Sequence, residues 1–198
     1  MIVLGLTGGI GMGKPTATAT LRRLRIPVFD ADAAVHRLQA RGGRAVSPIA
    51  AAFPDAVRDG RVDREALRRA VLGDATALKR LEGIVWPLVH DEERRFLARA
   101  RRAGARIAVL DVPLLFENGG EARGGQGGVG AAPPPGQPPR VLRRPGLTAE
   151  RFAAIHARQM PDAQKRRRAD HVVRTGLSRF FAQAAMRRII RRLRQRGD

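Results

Sequence analysis

A glycine-rich stretch near the amino terminus contains the residues with the clearest chemistry. It reads Gly8-Gly-Ile-Gly-Met-Gly13-Lys14 and follows an apolar run at residues 2–6. Glycines let backbone N–H groups turn inward, a helix N-terminus adds its dipole, and the lysine supplies a positive charge. The spacing of Gly8, Gly13 and Lys14 fits the phosphate-binding P-loop template. It predicts a nucleotide site, whose candidate binding residues are Gly9, Ile10, Gly11, Met12, Gly13, Lys14 and Thr16.

Position 15 departs from this template. The template has Ser or Thr there, with a hydroxyl that binds Mg²⁺, whereas this chain has Pro15. Proline suits the first helical turn, but it has no N–H for a phosphate and biases Lys14 away from helical backbone angles. Thr16 carries a hydroxyl one residue later, about 100° around the helix. Thr16 is therefore the candidate hydroxyl ligand for Mg²⁺, and how well the loop works is left open.

Aspartates close two further apolar runs that are typical of buried strands. Residues 26–29 lead into Asp30-Ala-Asp32, and the run at 107–111 ends on Asp111. Ligands of parallel α/β sheets lie beyond the carboxyl ends of the strands, so these carboxylates are candidates for chemistry. Asp111 is predicted to bind Mg²⁺ through water, as an acid at this position of a P-loop sheet commonly does. A helix cap alone would explain one aspartate of the first pair.

The elements around these residues alternate between strand and helix. We predict a parallel sheet with strands at 2–6, 26–29, 107–111 and 171–174, joined by right-handed crossovers. Helices are predicted at 14–24, 149–160 and 180–194. Residues 33–102 read as helical, with turns near 42–43, 54–55 and 73–74. Apolar residues recur at helical spacing over 64–72 and 78–86, and 90–103 reads as a strongly charged helix. This is too much helix for one crossover, so part of it should form a lobe over the rim of the sheet.

Residues 119–139 break this pattern because most of them are glycine or proline. Glycine weakens a strand, and proline removes hydrogen-bond donors from the ladder. We therefore predict irregular structure here and no central strand.

Composition limits the classes of protein that the chain can represent. Its 198 residues suit one domain, it has no cysteine for disulfides or thiolate metal sites, and its net charge is +20. Only three of the cations are lysines, which indicates a GC-rich coding sequence as much as selection for a polyanion. With few aromatic residues for stacking, solvated arginine surfaces are favoured over nucleic-acid binding. No signal peptide or membrane span is expected, so the predicted compartment is the cytoplasm.

The order of these motifs resembles the dephospho-CoA kinase family. The resemblance covers nearly the whole chain except about 119–139, and its motifs are Gly5-Leu-Thr-Gly-Gly-Ile-Gly-Met-Gly-Lys14, Val28-Phe-Asp-Ala-Asp32, Leu110-Asp-Val-Pro-Leu-Leu-Phe-Glu117, Arg158-Gln-Met160 and Ala169-Asp170. It implies transfer of the γ-phosphate of ATP, with Mg²⁺, to the 3′-hydroxyl of dephospho-CoA. It also implies one P-loop domain with a five-stranded parallel sheet, a helical substrate lobe at about 33–103 and a lid at about 140–168.

The resemblance also implies roles for individual residues. Asp32 looks like the base that deprotonates the attacking hydroxyl, and Lys14 acts with the lid arginines Arg140 and Arg144 on the phosphates. Leu114 and Glu117, in the apolar segment after Asp111, are the further substrate-side candidates, although Glu117 could equally be a surface residue. Besides Pro15, the chain departs from the family at Trp86, where the family typically has His.

Three functions are open at this point. They are an active dephospho-CoA kinase, a weakened or inactive protein with the same fold, and a basic protein that binds nucleic acid or another polyanion. A monomer without a membrane partner is expected in the first two cases.

Overall fold

A computed structural model describes residues 1–8, 14–113, 128–132, 160–175 and 178–196. The strands of these residues are β1 Ile2–Thr7, β2 Val28–Asp30, β3 Val57–Arg58, β4 Arg61–Val62, β5 Ile107–Asp111, β6 Gly128–Ala132 and β7 His171–Arg174. The helices are α1 Lys14–Arg23, α2 Ala31–Gln39, α3 Val46–Ala52, α4 Arg64–Val71, α5 Ala75–Arg102, α6 Asp162–Arg168 and α7 Arg179–Arg196. A 3₁₀ turn covers Pro54–Ala56. The predicted helix at 149–160 lies almost entirely outside the described residues.

A five-stranded sheet has the order β2-β5-β1-β6-β7, with β1 in the middle. β1 pairs in parallel with β5 and β6, and β6 pairs in parallel with β7. The predicted α/β fold with a parallel sheet is therefore confirmed. β2 begins two residues later than predicted because the N–H of Ile26 bonds to the carbonyl of Leu21, which keeps Ile26 in the turn after α1.

The prediction that residues 119–139 contain no central strand is wrong. β6 lies between β1 and β7, with Leu6 opposite Val129 and Gly130 opposite Val172. The prolines begin only at residue 133, so residues 128–132 keep every backbone N–H. Pairing on both sides offsets the conformational cost of two glycines, about 0.5–1 kcal/mol each. Pairing with the backbones of β1 and β7 thus makes this segment a strand, although its glycine content disfavours one.

The chain divides into two compact units, Met1–Phe29 with Arg99–Asp198 and Asp30–Ala98. The first contains a hydrophobic core between the sheet and two helices. Its fully buried side chains include Leu4 and Leu6 of β1, Leu21 of α1, and Met186 and Ile190 of α7. Burying one such side chain contributes roughly 1.5–3 kcal/mol, so this packing fixes α1 and α7 against β1 and β5.

The second unit contains a hairpin that the sequence reading placed within helical structure. β3 and β4 pair antiparallel, with Val57 opposite Val62. The two residues between the strands, Asp59 and Gly60, have φ angles of 50° and 70°. Positive φ at both central positions is the requirement of a tight hairpin turn, which Asp-Gly meets readily.

α5 is one helix of 28 residues within the stretch that the sequence predicts to be helical, and it continues across Pro87. Pro87 lies inside the helix and is exposed, as is Gly83 four residues earlier. The carbonyl that loses its partner at a proline can therefore be solvated, and the helix continues.

Candidate nucleotide site

The glycine loop begins at the carboxyl end of the central strand. β1 ends at Thr7, the buried Gly8 follows, and α1 begins at Lys14. The sequence predicts these positions for Gly8, directly after a strand, and for Lys14, at the start of a helix. Pro15 is the second residue of α1, so its expected bias against a helical Lys14 does not delay the helix. Its missing N–H falls in the first turn, where backbone donors have no partner within the helix.

Two hydrogen bonds join the end of β1 to the segment after β5. The hydroxyl of Thr7 donates to the carbonyl of Pro113 at 2.9 Å, and the N–H of Val112 donates to the carbonyl of Leu6 at 3.0 Å. These bonds bring Asp111, the last residue of β5, next to the start of the glycine loop.

Asp111 is the centre of a small buried network. Its Oδ1 lies 2.7 Å from Nζ of Lys14, and the side chains are 7% and 19% exposed. Its Oδ2 accepts a hydrogen bond of 2.8 Å from the hydroxyl of Thr18, which is also buried. The loop lysine and the strand-end aspartate therefore lie in one site, as the sequence reading requires.

The chemistry of this network fits a magnesium-bound nucleotide. Oδ1 of Asp111 is buried and accepts no hydrogen bond of good geometry from the described residues. A carboxylate oxygen that faces a cation in this way can accept from a water molecule on Mg²⁺. Among the described residues no three acidic or histidine side chains converge on one point. Asp111 offers one carboxylate at this point, and Mg²⁺ is usually bound by one or two carboxylates together with phosphates and waters.

The threonine that contacts Asp111 is not the one singled out from the sequence. Thr16 is half-buried in the first turn of α1. Thr18, overlooked in the sequence, makes the contact instead. A signal was available, because residues four apart lie on the same face of a helix, so Thr18 follows Lys14 by one turn.

The two aspartates after the second strand have different surroundings in the second unit. Oδ1 of Asp30 accepts from the N–H of Ala33 at 2.9 Å and caps α2. Asp32 is an exposed residue in the first turn of that helix. The helix cap therefore accounts for Asp30, and the role of Asp32 as the base stays a prediction.

The other predicted site residues lie outside the described part of the chain. They are Gly9, Ile10, Gly11, Met12 and Gly13 of the loop, Leu114 and Glu117 after β5, and the lid residues Arg140 and Arg144. Trp86 belongs to α5, where its ring centre lies 6.2 Å from that of His90. Across the described residues, no helix combines the length and the apolar character that a membrane crossing needs.

A parallel sheet with a glycine loop after its central strand, a lysine at the start of the following helix and an acid at the end of the neighbouring strand defines the class of P-loop nucleotide-binding proteins. Within this class, the family model for dephospho-CoA kinase (CoaE) matches residues 2–178. The chain belongs to the dephospho-CoA kinase family.

Known proteins resemble the chain over most of its length. A dephospho-CoA kinase from Paramagnetospirillum magneticum is 61% identical over 84% of this chain and 78% of its own length. Another, from Mesorhizobium japonicum, is 53% identical over the whole of both chains. A crystal structure of the protein TT1252 from Thermus thermophilus superposes with a TM-score of 0.81, at 38% identity and 97% coverage of each chain. The full-length match also spans the segment 119–139.

Proposed function

We propose that this protein transfers the γ-phosphate of ATP to the 3′-hydroxyl of dephospho-CoA. The observation that carries the proposal is the buried network of Lys14, Asp111 and Thr18 at the carboxyl end of β1. The family membership supplies the acceptor. Transfer of a phosphoryl group depends mainly on positioning and on cations around the γ-phosphate, and a site of this kind provides both.

Lys14 is the cation that this site offers to the phosphates. In the structure its ammonium neutralises Asp111. A bound triphosphate would compete for the ammonium, and Asp111 could then hold Mg²⁺ through a water molecule. Asp111 and Thr16 are the proposed residues that hold it. The metal would supply positive charge that stabilises the phosphates during transfer.

The roles of the remaining site residues are part of the same proposal. Asp32 orients the 3′-hydroxyl and takes its proton, and Arg140 and Arg144 neutralise the phosphates during transfer. Leu114 and Glu117 contact the substrate. A base needs to reach the hydroxyl only in the complex, so the exposure of Asp32 is compatible with this role.

The direct test is a coupled assay of ADP release with MgATP, with and without dephospho-CoA. We expect release that requires dephospho-CoA and produces CoA with a 3′-phosphate, identified by mass spectrometry against authentic CoA. ADP release that ignores dephospho-CoA would contradict the proposed acceptor. Binding of both substrates without turnover would favour the alternative of a weakened kinase.

The proposed setting of the reaction is a cytoplasmic monomer. Light scattering during size-exclusion chromatography tests the monomer, and cell fractionation with an antibody against the chain tests the compartment.

A further inference from the structure

Thr18 is a buried residue of the nucleotide site to which the proposed reaction gives no role. Only 5% of the residue is exposed. It lies on α1 one turn after Lys14, the residue at which the glycine loop meets the helix. Its position makes it a link between that helix and the end of β5.

The hydroxyl of Thr18 has two acceptors within reach. They are Oδ2 of Asp111 at 2.8 Å and the carbonyl of Lys14 at 3.1 Å. A hydroxyl carries one proton and donates it to one acceptor at a time. The carboxylate is both the closer acceptor and the charged one, and charge-assisted hydrogen bonds are the stronger kind. The bond to Asp111 therefore dominates.

This bond fixes the orientation of the carboxylate. With Oδ2 held by Thr18, Oδ1 is left toward Nζ of Lys14, at 2.7 Å. A carboxylate without the bond to Thr18 could rotate and offer either oxygen, or both, to the lysine. The threonine thus separates the two oxygens into one that is anchored to the protein and one that faces a cation.

A comparison within α1 shows that a buried threonine does not need such a partner. Thr20, 2% exposed, donates to the carbonyl of Thr16 at 2.8 Å, within its own helix. Thr18 has the equivalent bond available to Lys14, yet it also reaches the aspartate 93 positions along the chain. The contact is therefore more than the satisfaction of a buried hydroxyl.

We propose that Thr18 is a positioning residue for magnesium-nucleotide binding. It holds Asp111 so that Oδ1 faces the Lys14 ammonium, and the same orientation would present Oδ1 to a hydrated Mg²⁺ when the magnesium nucleotide is bound. Because Pro15 lacks the hydroxyl that the P-loop template places at the start of α1, the hydroxyl of Thr18 is the one that orients Asp111 in this chain. This inference rests on the proposed function, through the assignment of Asp111.

The test compares nucleotide binding with and without Mg²⁺. Dissociation constants for ATP are measured by calorimetry in excess Mg²⁺ and in EDTA, for the parent chain, Thr18→Val and Thr18→Ser. Valine has the shape of threonine without the hydroxyl, whereas serine keeps the hydroxyl. Thr20→Val is the matched control, since it removes a buried hydroxyl of the same helix that donates within the helix, to the carbonyl of Thr16. Thr18→Ala is a second variant in case valine does not fold, and thermal melts confirm folding.

Mg²⁺ should raise the ATP affinity of Thr18→Val about tenfold less than it raises that of the parent chain. A loss of this size is usual for groups that orient metal-binding side chains. Affinity in EDTA should stay near that of the parent. Thr18→Ser should retain most of the gain, and Thr20→Val all of it. The inference is overturned if Thr18→Val and Thr20→Val behave alike, or if Thr18→Ser is as impaired as Thr18→Val. A parent chain that binds ATP equally well with and without Mg²⁺ also overturns it.

These outcomes are distinct from failure of the proposed function. If the parent chain binds MgATP more tightly than ATP but does not phosphorylate dephospho-CoA, the assigned acceptor is wrong and the role of Thr18 is still decided by the binding series.

Discussion

Pro15 removes two groups that could act on a bound nucleotide, a backbone N–H and a side-chain hydroxyl. Restoring serine supplies both at the exposed second position of α1. A hydrogen bond to a charged group contributes about 1.5–3 kcal/mol, which corresponds to roughly tenfold or more in affinity. We expect Pro15→Ser to tighten MgATP binding by about that factor and to raise the turnover rate further. Calorimetry and the coupled kinase assay measure the two effects.

Thr16→Ala in the parent chain complements this experiment. If Thr16 is a metal ligand, its loss should greatly weaken the dependence of ATP binding on Mg²⁺. If Pro15→Ser changes neither binding nor rate, the start of α1 does not limit the enzyme, and the cause of any low activity lies elsewhere in the chain.

Asp32 should matter to turnover more than to binding. Removing a base that acts in the transition state lowers the rate and leaves ground-state affinity nearly intact. We expect Asp32→Asn to reduce kcat by roughly a hundredfold or more, with unchanged ATP affinity by calorimetry. The matched control is Asp30→Asn, since asparagine caps a helix about as well as aspartate. Asp30→Ala, which removes the cap of α2, should cost about 1 kcal/mol of stability instead.

The opposite result would reassign the base. If Asp30→Asn loses the turnover and Asp32→Asn keeps it, then the carboxylate at the end of β2 is the one that acts on the hydroxyl.

At the scale of single residues, the sequence predicts which residue types lie at the site. It is a poorer guide to which side-chain atoms are in contact there. Lys14 and Asp111 follow from the template and from the end of an apolar run. The hydrogen bond of Thr18 depends on how α1 packs against β5, and several threonines of α1 are chemically equivalent in the sequence. Side-chain contacts between distant elements are set by packing, which a local pattern does not contain.

At the scale of elements, β6 tests whether pairing with two neighbouring strands keeps a glycine-rich segment in strand form. A glycine-rich segment without pairing exchanges its amide hydrogens quickly, whereas a strand bonded on both sides is protected. We expect the amides of residues 129–132 to exchange about as slowly as those of β1, measured by NMR or by mass spectrometry with fragmentation. Exchange at the rate of an unstructured peptide would show that β6 is not formed in solution.

The acid dependence of the second unit follows from a cluster around Asp91 on α5. Arg44 approaches its carboxylate to 2.6 Å, and Arg94 and Arg95 lie at 3.2 and 3.0 Å. The hydrogen bond from Arg44, followed by that from Arg94, holds the pKa of Asp91 below its usual 3.8. A lowered pKa in the folded state adds stability that is present above this usual value and is lost as the pH falls through the lowered one.

We therefore expect the melting temperature of the parent chain to fall below about pH 4 more steeply than that of Asp91→Asn, because asparagine cannot be protonated in this range. Circular dichroism melts from pH 7 to pH 3 measure the difference. High salt should reduce it, since the cluster is partly exposed. Parallel curves for the two proteins would mean that the cluster contributes nothing to acid stability.

Elements with a clear apolar or β-branched pattern were predictable from the sequence, and elements too short for a pattern or with conflicting signals were not. β5 and β7 were placed to the residue because each is a compact apolar or β-branched run. The hairpin of β3 and β4 has two residues per strand, too few for a period, although Asp59-Gly60 is a turn signal. α5 continues through Pro87 because the proline is exposed, and exposure is a property of the fold rather than of the local sequence.

At the scale of the whole molecule, many of the positive charges lie on the exposed side of α7, whose other side is packed in the core. The helix contains no acidic residue, and its buried side includes Met186, Ile190 and Leu193. The arginines Arg187, Arg188, Arg191 and Arg192 are exposed. They are needed to keep the outer side of this amphipathic helix in water, so their presence does not by itself imply a polyanionic partner.

The same arginines nevertheless offer a cationic surface, and binding to random duplex DNA shows which account is correct. Non-specific binding through phosphates weakens with a slope in log salt of about −0.9 for each phosphate contact. We expect measurable binding only at low salt, and its loss by roughly 0.15 M. The triple variant Arg188→Gln, Arg191→Gln, Arg192→Gln should flatten the slope by up to about three contacts while leaving kcat and KM for dephospho-CoA unchanged. Fluorescence anisotropy with a labelled duplex, repeated over a salt series, gives the slope. Submicromolar binding that persists at roughly 0.15 M salt and is abolished by the triple variant would instead assign α7 a nucleic-acid role, since solvated arginines alone do not hold a duplex under those conditions.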